Sequence, residues 1–165
     1  MDELNKALKI SVTGVLKQKA LEKFEAQMKK WSIKMPSPEY LVLDFGLGDF
    51  YKTGLIECWI ANEEKEGYCG KFLFVFDGQR CPMHRHKDKH ETFFIMKGSV
   101  MMDYDGKSCE MKPGDTLPVE KWKYHSFAGV GPALLLEISK PCIVDDNYFE
   151  DKTIPIGGNF NCKNK

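Results

Sequence analysis

The chain contains four histidines, and two of them, His84 and His86, stand two positions apart, with Glu91 five positions further on. In an extended strand the side chains of residues i and i+2 project to the same face, so both imidazoles would point to one side. A short turn can then return the Glu91 carboxylate to them. His125 is a third imidazole that can join the group, whereas His90, next to Glu91, would face the other way along a strand. Three neutral nitrogens and one carboxylate suit a first-row divalent metal and leave positions open for water or substrate. Structural zinc sites are usually closed and rich in sulfur, so this donor set points to a reactive centre.

Short strands are the natural support for such a group. Runs rich in aromatic and branched residues recur at 41–45, 55–60, 71–76, 92–96, 99–104, 117–119 and 133–138. Turn signals separate them, among them Asp77-Gly78, Asp105-Gly106 and Pro113-Gly114-Asp115. Many short strands without interleaved helices predict an all-β antiparallel sandwich or barrel. Ahead of the strands, residues 15–31 place Leu21, Phe24 and Met28 at helical spacing among charges, which predicts an amphipathic helix packed on the barrel or on a second subunit. Gly14 and Pro36-Ser37-Pro38 bound it. The expected layout is a helical segment over 1–39, a barrel over 40–156 and a polar tail over 157–165. Trp31, Trp59 and Trp122 are expected to pack, with Trp59 and Phe74 as possible pocket walls. Asp145-Asp146-Asn147 reads as a capped turn, ahead of the alternative of a pocket rim.

Other function classes find little support. The 165 residues carry 24 basic and 24 acidic side chains, so no basic excess favours capture of nucleic acid. No apolar window is long enough for a membrane span, and the opening Met1-Asp2-Glu3-Leu4-Asn5 has no basic leader with an apolar run. Cys58, Cys69, Cys81, Cys109, Cys142 and Cys162 form no CxxC pair, which fits free thiols in a reducing cytoplasm. Gly46-Leu47-Gly48 lacks a third glycine and a following helix, so a dinucleotide site is not expected.

The spacing Gly78-x5-His84-x-His86-x4-Glu91-x6-Gly98 resembles the first motif of the cupin superfamily at every fixed position. Gly106, Pro113, Gly114 and Pro118 leading to His125 resemble the second motif more loosely: the gap before the histidine is longer and the trailing asparagine is missing. Lys89 within the first motif, Phe45 to Phe50, Tyr68 to Phe72 and the strand from Leu134 to Ser139 are together similar to the D-lyxose isomerase family of cupins over most of 40–155. The resemblance implies a cupin barrel that interconverts an aldose and its ketose. The metal would sit on His84, His86, Glu91 and His125, and Lys89 and Glu137 would form the catalytic pair. It also implies a divalent ion, manganese before zinc, iron, cobalt or nickel, and a small sugar as substrate.

That chemistry needs these residue types. Moving a proton between C1 and C2 passes through an enediolate, so a Lewis acid must hold negative charge, a base must reach the carbon and a donor must serve the oxygens. Glu137 fits the base and Lys89 the donor. Glu137 lies in the apolar run Ala133-Leu134-Leu135-Leu136-Glu137, and a buried carboxylate must face the metal pocket or a paired cation. Two other classes compete: a cupin dioxygenase or decarboxylase, and a sugar- or metal-binding cupin without turnover. A homodimer is expected, because the helix and the strand edges need cover.

Overall fold

The computed structural model describes residues 3–37 and 39–158. Two helices, α1 (Glu3–Lys9) and α2 (Gly14–Lys30), precede nine strands: β1 (Tyr40–Leu43), β2 (Leu55–Glu63), β3 (Tyr68–Val75), β4 (Arg80–His86), β5 (Glu91–Tyr104), β6 (Lys107–Met111), β7 (Thr116–Val119), β8 (His125–Ser139) and β9 (Asn147–Phe149). A 3-10 turn, Val144–Asp146, leads into β9. The strands form one antiparallel curled sheet in the order β1-β2-β3-β8-β4-β9, with β5 joining β8 to β6 and β7.

The long strand β8 closes the barrel. Its whole length pairs with β5, from Tyr104 opposite His125 to Glu91 opposite Ser139. On its other side the first half pairs with β4 and the second half with β3. The change of partner occurs at a bulge around Gly131 and Pro132, opposite a kink in β5 at Gly98. Gly98 has φ of 69°, and a Cβ there would collide with the Pro132 carbonyl. Only glycine fits that position without moving backbone.

Alternation along the strands sorts the residues into two layers. Leu55, Leu73, Val75, Phe93, Ile95, Phe127 and Leu135 fill the barrel. Ile56, Phe74 and Leu134 face outwards and are covered by Ala20, Phe24 and Met28 of α2. Phe24 meets Phe74 edge to face at 5.1 Å, an arrangement that aromatic quadrupoles favour. α2 therefore packs on the barrel wall, as its periodicity predicts. The shorter α1 sits near the barrel mouth, where Ala7 is buried and the Glu3 carboxylate accepts the Val144 N–H at 2.7 Å.

Several elements differ from expectation. The runs 92–96 and 99–104 are one strand bent at Gly98, and the run 133–138 is the second half of β8. β6 escaped notice because an edge strand of mostly exposed polar residues shows no apolar alternation. Trp122 is half-exposed rather than packed; it has φ of 64° and lies against Arg85 and Tyr148. Phe74 lies under α2 and lines no barrel pocket. Gly157 and Gly158, expected in the polar tail, are buried, whereas residues 159–165 lie outside the described residues.

Candidate metal centre

The centre is assembled from three neighbouring strands. His84 and His86 share the inward face of β4, Glu91 opens β5, and His125 opens β8 directly opposite His84 in register. All four are buried, and one ligand atom from each lies within 4.8 Å of the others.

Hydrogen bonding sets the tautomers. Nδ1 of His84, His86 and His125 contacts the carbonyl oxygens of Pro82, Asp146 and Lys123 at 2.8, 3.1 and 3.1 Å. A carbonyl can only accept, so each Nδ1 carries the proton and each Nε2 lone pair is left for a ligand. Burial, reinforced by Lys89, holds His86 below the usual imidazole range and therefore neutral near pH 7. Burial likewise depresses His84, with His125 and His86 adding to the effect.

The neutral Nε2 of His86 then faces Glu91 Oε1 at 3.3 Å, and His125 Nε2 lies 2.8 Å from the same oxygen. None of these three buried atoms has a hydrogen-bond partner. Burial would push the Glu91 carboxyl upwards, but the Lys89 ammonium beside it opposes this and holds it ionised, below the carboxylate range. Acceptors turned towards one another in a buried space need a cation between them. The donor set fits a divalent metal on His84, His86, Glu91 and His125.

A chain of alternating charges runs from this group along the inner wall. Lys89, buried in the turn between β4 and β5, places Nζ 2.6 Å from Glu91 Oε2 and 3.0 Å from Glu137 Oε1. Glu137 Oε1 also accepts the Ser139 hydroxyl at 2.9 Å, and its Oε2 lies 3.3 Å from Lys71. Lys71 continues to Glu57 at 3.4 Å, and the Trp59 indole N–H donates to Glu57 at 2.8 Å. Burial alone would drive both ammonium groups towards the neutral form. The carboxylates facing them prevail and hold Lys71 and Lys89 above the ordinary lysine range.

The ligand turn is itself held. The Asp146 carboxylate accepts the backbone N–H groups of Lys87, Asp88 and Lys89 at 3.0, 3.1 and 2.9 Å. Asp145-Asp146-Asn147 is thus a turn, and one that fixes the loop carrying Lys89. Sequence reasoning missed Glu57 and Lys71, and it read Asp146 as part of a turn without finding what that turn holds. Glu57 and Lys71 carried a signal, since each is a charge in an apolar strand, Leu55-Ile56-Glu57-Cys58-Trp59 and Lys71-Phe72-Leu73-Phe74-Val75. The partners of Asp146 were not legible, because they lie nearly sixty residues away.

A curled antiparallel barrel with three histidines and a carboxylate gathered inside it defines a cupin, and a cupin-domain family model matches residues 72–139. A second family model, D-lyxose isomerase, matches residues 17–104. The chain belongs to the D-lyxose isomerase family, a family of sugar isomerases. It is 30% identical over 164 residues to a D-lyxose/D-mannose isomerase of Thermosediminibacter oceani, covering 81% of this chain and 90% of that one. It is 34% identical over 122 residues to a D-lyxose ketol-isomerase of a Thermofilum species, covering 68% and 66%. The L-ribose isomerase of Cellulomonas parahominis shares the fold, with a TM-score of 0.69 over 88% of this chain and 95% of that one at 13% identity.

Proposed function

We propose that the protein is a metal-dependent aldose–ketose isomerase acting on a small sugar such as D-lyxose or D-mannose, with manganese on His84, His86, Glu91 and His125. One observation carries the reading: the buried Glu137 carboxylate stands a single ammonium group, Lys89, away from the metal ligand Glu91. When bound, the divalent ion supplies Lewis acidity, which makes the C–H beside a carbonyl acidic. Glu137 takes the proton from one of the two reacting carbons and returns it to the other, while the hydroxyl proton on the first carbon's oxygen passes to the oxygen of the second. The Ser139 hydroxyl orients Glu137, and Lys89 donates to the substrate oxygen on which charge gathers. Phe45 and Phe149 line the same hollow as His84, Glu91 and Glu137 and give it an apolar side.

The test is a panel of aldoses and ketoses with manganese-loaded protein under anaerobic conditions. Ketose should form from D-lyxose or D-mannose without oxygen, and chelation should abolish it. Turnover that requires iron and oxygen would replace this reading with an oxygenase.

The proposed setting is a reducing cytoplasm, supported, among the described residues, by free thiols at Cys58, Cys69, Cys81, Cys109 and Cys142. Among the described residues no helix is long and apolar enough to cross a membrane. The proposed assembly is a homodimer. Ile60, Tyr68 and Ile138 lie more than half exposed on β2, β3 and β8, and an exposed apolar patch marks an interaction surface. Light scattering should give twice the chain mass of 18.9 kDa; a single chain mass would refute the dimer.

A further inference from the structure

Two buried charges of the inner wall, Glu57 and Lys71, take no part in the proton transfer described above. They stand where two hollows meet. The inner hollow is lined by His84, Lys89, Glu91 and Glu137 as well as by Glu57 and Lys71. The outer hollow is lined by Glu57 and Lys71 again, with Trp59 and Cys142 of the wall and Ala7 and Ile10 of the N-terminal region. A molecule with its reacting carbons at Glu137 and its remainder extending into the outer hollow runs alongside these two side chains.

Their bonding is incomplete in a telling way. Lys89 is tightly held, at 2.6 and 3.0 Å from its carboxylates. Lys71 is as deeply buried, yet its closest carboxylate contacts are 3.3 and 3.4 Å, and Cys142 Sγ lies at 3.8 Å. Charge-assisted N–H···O bonds normally close to about 2.7–2.9 Å. Glu57 shows the same asymmetry: Oε2 is fixed by the Trp59 N–H at 2.8 Å, whereas Oε1 meets Lys71 at 3.5 Å. Burying two charges costs several kcal/mol unless close hydrogen bonds compensate. The pair is pre-positioned by long contacts, which a substrate hydroxyl at normal hydrogen-bond distance can replace.

We propose that Glu57 and Lys71 form a clamp for substrate hydroxyls, recognising the polyol tail beyond the two reacting carbons. A hydroxyl both donates and accepts, so a carboxylate and an ammonium side by side can take neighbouring hydroxyls, one in each sense. A site built this way discriminates strongly, because a substrate lacking the hydroxyl leaves buried polar groups unpaired. The placement of the reacting carbons rests on the isomerase reading; the clamp itself rests on the pair.

The test uses the linear polyol xylitol as probe, titrated by calorimetry into manganese-loaded parent, Glu57→Gln, Lys71→Gln and the charge-balanced double variant. The double variant leaves no unpaired charge, which protects against loss of folding. Metal content should be unchanged, and the Kd for xylitol should rise at least tenfold in each variant. With the best sugar, Glu57→Gln should raise KM by a similar factor while kcat stays within about threefold, a split that loss of a merely structural ion pair would not produce. Unchanged xylitol affinity and KM in the variants of an active parent overturn the clamp and leave the isomerase reading intact. A parent that isomerises nothing but binds xylitol in a Lys71-dependent way overturns the isomerase reading and keeps the clamp. A parent that neither binds xylitol nor isomerises any sugar overturns both.

Discussion

Asp146→Ala probes how the ligand turn is held, and its cost can be worked from the contacts. The substitution removes the acceptor for three backbone N–H groups, those of Lys87, Asp88 and Lys89. Lys87 and Asp88 are exposed, so water can replace the carboxylate there, at about 0.5–1.5 kcal/mol for each bond lost. Lys89 is buried, and its N–H would be left unsatisfied at about 1–3 kcal/mol. The total is roughly 2–6 kcal/mol; the middle of that range, about 4 kcal/mol, corresponds to a fall in Tm of about 8–16 °C for a chain of this size. Asp146→Asn keeps one acceptor oxygen and should lose about half as much. The Asp146 carbonyl still receives His86 Nδ1 in both variants, so the centre survives but is less well oriented, and metal affinity should fall about 10–100-fold. Thermal melts should be recorded after chelator treatment, so that bound metal does not mask the change. A Tm within 1 °C of the parent together with unchanged metal affinity would refute this account of the turn.

Two further outcomes follow from the centre and the core. His84→Ala or His86→Ala removes one of four donors, and metal retained after dialysis, measured by plasma spectrometry, should fall sharply together with activity. Thiol labelling of the native protein at pH 8, followed by peptide mapping, should modify the exposed Cys109 and spare Cys58 and Cys142. Burial raises those two thiols to about 11 and about 12; a raised pKa keeps the proton on sulfur, so at pH 8 the thiolate fraction is on the order of one in a thousand or less.

Much of this architecture was legible because its signals are local. His84, His86 and Glu91 fall within one strand and one turn, so their spacing alone brings their side chains together. The periodicity of α2 and the turn signals between strands are likewise read within a few residues. The legible part ends where function depends on pairing across the sheet. Lys71 meets Glu137 because β3 and β8 are neighbours in register, a fact no local window contains. The first half of β8 falls outside the expected strand runs because Gly129, Gly131 and Pro132 are breakers in isolation, although the barrel uses them to bend a continuous strand. Glu137 was an intermediate case. Its apolar neighbours demanded a partner for the carboxylate, but they did not say that the partners would be Lys89 and Lys71.

The proposed role of Glu137 in moving the proton is the centre of the account, and solvent-isotope exchange reaches it most directly. Manganese-loaded parent and Glu137→Gln protein are incubated with the aldose in deuterated water, and label at C1 and C2 is followed by NMR. The glutamine keeps the shape and the Ser139 contact but cannot accept a proton, so exchange and turnover should fall together by at least about a hundredfold, with metal content unchanged. Near-parental exchange in Glu137→Gln, with its metal in place, would contradict the account and put the base elsewhere.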